Sequence, residues 1–124
     1  MENVNKPSTS IKNWAADDRP REKLLSKGPA ALSNSELIAI LINNGSKTKS
    51  AVELAKEILT LGHDNLNELG KLSLSDFKQV KGIGEAKAII ITAALELGRR
   101  RQASAALEKT VVRSSRDIAA YLQA

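Results

Sequence analysis

The stretch VKGIGEAKAIII, residues Val80 to Ile91, places two glycines and two lysines directly before the most helix-prone segment of the chain. Gly82 and Gly84 permit positive φ and carry no Cβ to hold off an approaching group. Ile83 between them is apolar and is expected to tuck inward and lock the turn. The amides from Gly82 to Ala86 then face outward at the positive pole of the following helix. A concavity of N–H groups of this kind suits a phosphate oxygen. Lys81 precedes it and Lys87 follows one turn in, so both can reach the same anion.

Working outward, the chain reads as all-α. β-Branched residues are scattered and strict alternation never persists, while Ala, Leu, Glu and Lys dominate between short breaks. Polar residues and the cluster Pro7, Ser8, Thr9, Ser10 predict a disordered arm over 1–13. Asp17 or Asp18 as N-cap, Pro20 in the first turn and Gly28 as a stop predict a short helix over 19–27, with Leu24 and Leu25 inward. Ser33 with Glu36 forms a capping box for a helix whose face is Leu37, Ile38, Leu41 and Ile42. Ser50 with Glu53 forms a second box, for a helix with Ala51, Leu54, Ala55, Ile58 and Leu59 inward and Gly62 as terminator. Ser73 and Asp76 cap a short helix that turns Phe77 and Val80 inward. From Gly84 onward, Ala86, Ile89, Ile90, Ala93, Ala94 and Leu97 keep helical spacing and predict a long amphipathic helix. After Arg101 the pattern fades, and VVRSSRDIAAYLQA predicts a brief extended piece followed by a helix capped by Ser114 or Ser115.

Composition narrows the function classes. A chain of 124 residues, 42% apolar, can bury one modest core. No apolar run approaches the roughly 18 residues that cross a bilayer, and the N-terminus lacks the apolar centre of a signal peptide, so no membrane partner and a cytoplasmic location are expected. There is no cysteine and only one histidine, His63, so neither a metal centre nor a cofactor is expected. No nucleophile stands with a base, and Glu53 and Glu57 beside Lys49 and Lys56 have the spacing of a solvated helix face, so no catalytic residue is assigned. The net charge is +5, and all of the excess lies in residues 71–124, which carry ten basic and five acidic side chains. That third holds the opening stretch and the run Arg99, Arg100, Arg101. The run is either a solvated helix end, favoured by the helix dipole, or a phosphate contact.

A short helix, a Gly-apolar-Gly turn and a long helix with a small residue at Ala88 resemble the helix-hairpin-helix motif, matched here by Val80, Lys81, Gly82, Ile83, Gly84 and Ala88. That motif implies a grip on DNA backbone without base reading. The segment NNGSKTKSAVELAKEIL resembles a degenerate second copy, with Gly45, Lys47 and Lys49 in its turn and its second glycine missing. The expected fold is thus a small helical bundle with one clear and one degenerate helix-hairpin-helix motif. Two hairpins imply duplex or branched DNA, and the scattered Trp14, Phe77 and Tyr121 offer no stacking platform for unpaired bases. The DNA-contacting set is Lys81, Gly82, Ile83, Gly84, Lys87, Gly45, Lys47 and Lys49.

The order of RPREKLLSKGPAALSNSELIAILINNGSKTKSAVELAKEIL and then LSDFKQVKGIGEAKAIIITAALELGRR resembles the N-terminal part of the RadC family, bacterial proteins named for DNA repair. The likeness covers about residues 11–124. In that family the helical part precedes a JAB/MPN domain with a metalloprotease-like zinc motif, His-x-His with a downstream Asp, which has no counterpart here. The resemblance implies a helical domain over 14–103, then a linker and the opening of a further domain over 104–124. It also leaves a second function open: a protein-interaction or regulatory module that positions that further domain, or that associates with itself.

Overall fold

The computed structural model describes residues 9–123, with side chains described from 15 to 111. The order is α1 (Thr9–Lys27), a 3₁₀ turn (Pro29–Ala31), α2 (Asn34–Ile42), α3 (Ala51–Leu61), α4 (Leu66–Leu69), α5 (Leu74–Lys78) and α6 (Glu85–Gln123), with no strand among the described residues. The chain divides after Thr92 into two compact units.

In the first unit, local capping chemistry sets where the helices begin. Ser33, Ser50 and Ser73 each accept from the amide three residues on, and Glu36, Glu53 and Asp76 reach back to the cap amides, which completes three capping boxes. Asn65 caps α4 on Glu68. Gly28, at φ 85, ends α1 as its position before Pro29 predicts. The core is built on α3, where Ala51, Leu54, Ala55 and Ile58 are fully buried and Leu59 nearly so. Ile38, Ala39 and Ile42 of α2 face it, and Leu69, Phe77, Val80 and Ile83 close it from the later turns. Burying each large aliphatic side chain contributes about 1.5–3 kcal/mol, so this row holds the unit together.

Three expectations are corrected. Helix α1 begins at Thr9 rather than near residue 19, so Asp17 and Pro20 lie inside it, with Pro20 fully buried. Residues 9–13, expected in the arm, have helical backbone, and the rest of that arm lies outside the described residues. Leu25 does not turn inward and is 85% exposed.

The inward face of α6 is also not the expected one. Ala88 and Ile91 are buried, whereas Ile89 and Ile90 are about half exposed. Three consecutive isoleucines cover more than one face, so spacing alone leaves the phase open. The small Ala88 settles it, because it permits close approach to the core.

In the second unit α6 continues to Gln123, and neither the break after the arginines nor the extended piece appears. The segment Arg99–Lys109 contains neither Gly nor Pro and is rich in strong helix formers, so fading amphipathicity does not stop the helix. Ser114 and Ser115 lie within it rather than at its start. The side chain of Tyr121, like that of Trp14, lies outside those described.

Candidate nucleic-acid interface

The clear hairpin runs from α5 to α6. Its turn closes when the Ile83 amide donates to the Val80 carbonyl at 3.0 Å, with Gly82 at φ 100. A side chain at Gly82 would be strained by that φ, and its Cβ would lie 3.2 Å from Leu54 Cδ2 and 3.3 Å from Ser46 Cβ. Val80 and Ile83 are buried on either side, as the apolar-x-Gly-apolar pattern requires. Gly84 differs from Gly82: its φ is not in the left-handed region, and a Cβ there would meet nothing within 4 Å. What Gly84 leaves open is surface, not conformation.

Gly84 also stands where the earlier helices have a capping side chain. Its carbonyl accepts from Ala88 at 3.0 Å, and the amides of Glu85, Ala86 and Lys87 find no acceptor among the described residues. In four helices Ser33, Ser50, Asn65 and Ser73 each take up one first-turn amide, whereas none of the first three amides of α6 has an acceptor among the described residues. Lys81 beside this turn is exposed and pairs with none of the described residues.

The degenerate hairpin, between α2 and α3, is built otherwise. Asn43 takes φ 72 after the last turn of α2, and Ser46 donates to the Lys49 carbonyl at 2.8 Å. The Gly45 amide donates to Asp17 Oδ2 at 2.8 Å, and the Ala51 amide, first in α3, donates to Asp17 Oδ1 at 2.6 Å. Asp17 is 4% exposed. Arg21, one turn further along α1, donates to Asn43 Oδ1. Gly45 has no room for a side chain, since a Cβ would stand 2.1 Å from the Lys49 carbonyl oxygen.

The two turns abut. Lys87 Nζ donates to the Asn44 carbonyl at 2.7 Å, tying the start of α6 to the other loop. Of the four lysines expected at DNA, Lys87 is therefore engaged with backbone, Lys49 is paired with Glu57 at 2.6 Å, and Lys47 and Lys81 are exposed with no partner among the described residues. Sequence reasoning missed Asp17, whose type marks it as a helix cap but whose partners lie 28 and 34 residues away. In the second unit, Glu96 binds Arg99 at 2.7 Å and Arg100 at 2.8 Å and is held at a pKa of about 2, chiefly by its hydrogen bonds to those guanidinium groups. Arg101 has no such partner among the described residues.

No group of three or more His, Cys, Asp or Glu among the described residues could hold a metal ion, and no helix there is long and apolar enough to cross a membrane. The model of the UPF0758 N-terminal family matches residues 11–89. A UPF0758 protein of Flavobacterium johnsoniae is 52% identical over 114 residues, covering 92% of this chain and 49% of the relative. One from Moorella thermoacetica is 49% identical over 113 residues, 91% of this chain and 48% of the relative. Another, from Alkaliphilus metalliredigens, is 40% identical over 114 residues, 92% of this chain and 49% of the relative. The chain thus spans about half the length of the curated relatives it matches. No solved structure matches it.

Proposed function

The chain belongs to the UPF0758 family, and from that premise we propose that its first unit is a DNA-binding module of a RadC-type DNA repair protein, holding backbone phosphates without reading sequence. The observation that carries this is the uncapped start of α6. The amides of Glu85, Ala86 and Lys87 and the Lys81 side chain have no partner among the described residues, and the surface over Gly84 beside them is open. Backbone N–H groups at a helix start bind an anion through both hydrogen bonds and the helix dipole. They contact phosphate oxygens that every sequence presents, so they position the chain without specifying bases. With about two to four phosphates neutralised, the slope of log affinity against log salt is expected to be roughly −2 to −4.

A second role draws on Ile89 and Ile90, 50% and 43% exposed on α6. Such residues favour a protein-interaction or regulatory module that positions the remainder of a longer chain.

Fluorescence anisotropy with a labelled duplex, from low to physiological salt, separates the two. Gly84→Val places a branched side chain where nothing lies within 4 Å and φ is unstrained, so circular dichroism should show a folded chain. DNA binding by the parent that is lost in this variant supports the phosphate site. A folded parent that binds no duplex even at low salt removes DNA binding and leaves the protein-interaction role.

A further inference from the structure

We propose that Asp17 is a built-in occupant of the first hairpin's anion site, so that the module holds DNA by one strand, at the second hairpin alone. This rests on the DNA-binding function above and names its specificity. Two hairpins side by side have the outline of a clamp that takes one strand each. In this molecule two of the amides that would take the second strand, those of Gly45 and Ala51, are already spent.

The Gly45 amide and the first amide of α3, at Ala51, both donate to the Asp17 carboxylate, at 2.8 Å and 2.6 Å. These are two of the groups a phosphate could use at that loop, and Asp17 presents them with two oxygens carrying the same sign of charge. The occupant belongs to the chain, so no external phosphate competes with it on equal terms: its effective concentration is that of an intramolecular partner. It is also 4% exposed, so a phosphate could reach those amides only by displacing a buried carboxylate. A phosphate that merely approached would meet that carboxylate's charge.

The surroundings reinforce the occupancy. Arg21 of the same helix donates to Asn43, fastening α1 across the loop at a second point. Lys49, which could have offset the carboxylate for an incoming phosphate, is paired with Glu57 at 2.6 Å. Ser50 Oγ accepts from the Glu53 amide, so the third amide of α3 is also taken. Lys47 is left as the loop's cation without a partner among the described residues. Among the described residues the second hairpin has no counterpart of Asp17, and the amides of Glu85, Ala86 and Lys87 have no acceptor.

Duplex binding by the full chain, measured by anisotropy, should respond unequally to Lys81→Ala and Lys47→Ala. Both lysines are exposed and have no partner among the described residues, so both variants should fold. Lys81→Ala is expected to weaken binding about fivefold and to flatten the salt slope by about one, the signature of a lost phosphate contact. Lys47→Ala should stay within about twofold of the parent. Amide hydrogen exchange gives a second readout: duplex should slow Glu85 and Ala86 and leave Gly45 and Ala51 at the protection that Asp17 already confers. Equal weakening by the two substitutions, or added protection at Gly45 and Ala51, would overturn single-strand contact while leaving DNA binding in place. Absence of duplex binding by the parent chain would overturn both.

Discussion

The two hairpins solve one local problem in opposite ways. Each must turn the backbone sharply and begin a helix whose first amides have no partner of their own. The first satisfies two of those amides internally, Glu53 with Ser50 and Ala51 with a carboxylate borrowed from α1. The second satisfies none of the amides of Glu85, Ala86 and Lys87 within the described residues and places Gly84 where a cap would stand. A turn completed from within belongs to the scaffold, and a turn left incomplete is available to a ligand. The missing second glycine of the first loop agrees with this division, since a loop completed from within has no need to keep its surface bare.

Glycine substitutions test that division, and the largest effect should fall on the hairpin closed by Asp17. In Gly45→Ala the new Cβ would stand 2.1 Å from the Lys49 carbonyl oxygen and 2.6 Å from the Ser50 carbonyl carbon, both backbone atoms that cannot swing aside. We expect a loss of about 2–4 kcal/mol, seen as a fall in Tm of about 10–25 °C by circular dichroism. A change of only a few degrees would mean that the loop has slack and that its closure by Asp17 is not rigid.

Gly82→Ala should cost less, about 1–2 kcal/mol, because the residue must hold φ 100 while its methyl meets Leu54 Cδ2, the end of a flexible side chain. Gly84→Ala should cost no more than about 0.5 kcal/mol, the ordinary difference between Gly and Ala at a helix start. The order Gly45, Gly82, Gly84 in thermal stability, read against the reverse order expected for a direct effect on phosphate contact, would separate scaffold from surface. A Gly84→Ala chain as unstable as Gly45→Ala would erase the contrast between the hairpins.

Much of this was legible in the sequence wherever the signal is local. Capping boxes span three residues, so Ser33 with Glu36, Ser50 with Glu53 and Ser73 with Asp76 announce their helices, and the five-residue face of α3 follows from its spacing. The turn at Gly82 is equally local: its apolar flanks, Val80 and Ile83, bury as the motif requires. The signal fails where a residue's partner is distant or where the pattern is degenerate. Asp17 has the composition of an N-cap, yet it serves Gly45 and Ala51 in another part of the chain. Ile89, Ile90 and Ile91 supply apolar surface in several directions at once, and only Ile91 is buried. Helix α6 also passes the point where its amphipathic pattern ends, because propensity without a breaker is enough to continue a helix already begun.

The arginine run offers the same contrast on a smaller scale. Glu96 is to Arg99 and Arg100 what Asp17 is to the first hairpin: a carboxylate of the chain on groups that an external anion could use, at 2.7 Å and 2.8 Å. The difference is exposure, since Glu96 lies on the surface and its pairs are screened by solvent and salt. Its depressed pKa, about 2 against an ordinary 4.5, fixes the sign of the pH effect. The carboxylate is favoured in the folded helix, so its contribution is complete above pH 4.5 and is lost as pH falls through about 2. A carboxyl titration followed by NMR should therefore place the Glu96 midpoint well below that of an unpaired glutamate, and added salt should move it back upward. Glu96→Gln should barely change Tm, yet it frees Arg99 and Arg100. If duplex binding then strengthens at low salt, the run is a latent phosphate contact held in check by its own carboxylate. If binding is unchanged, the arginines are a solvated helix face, and DNA contact belongs to the open hairpin alone.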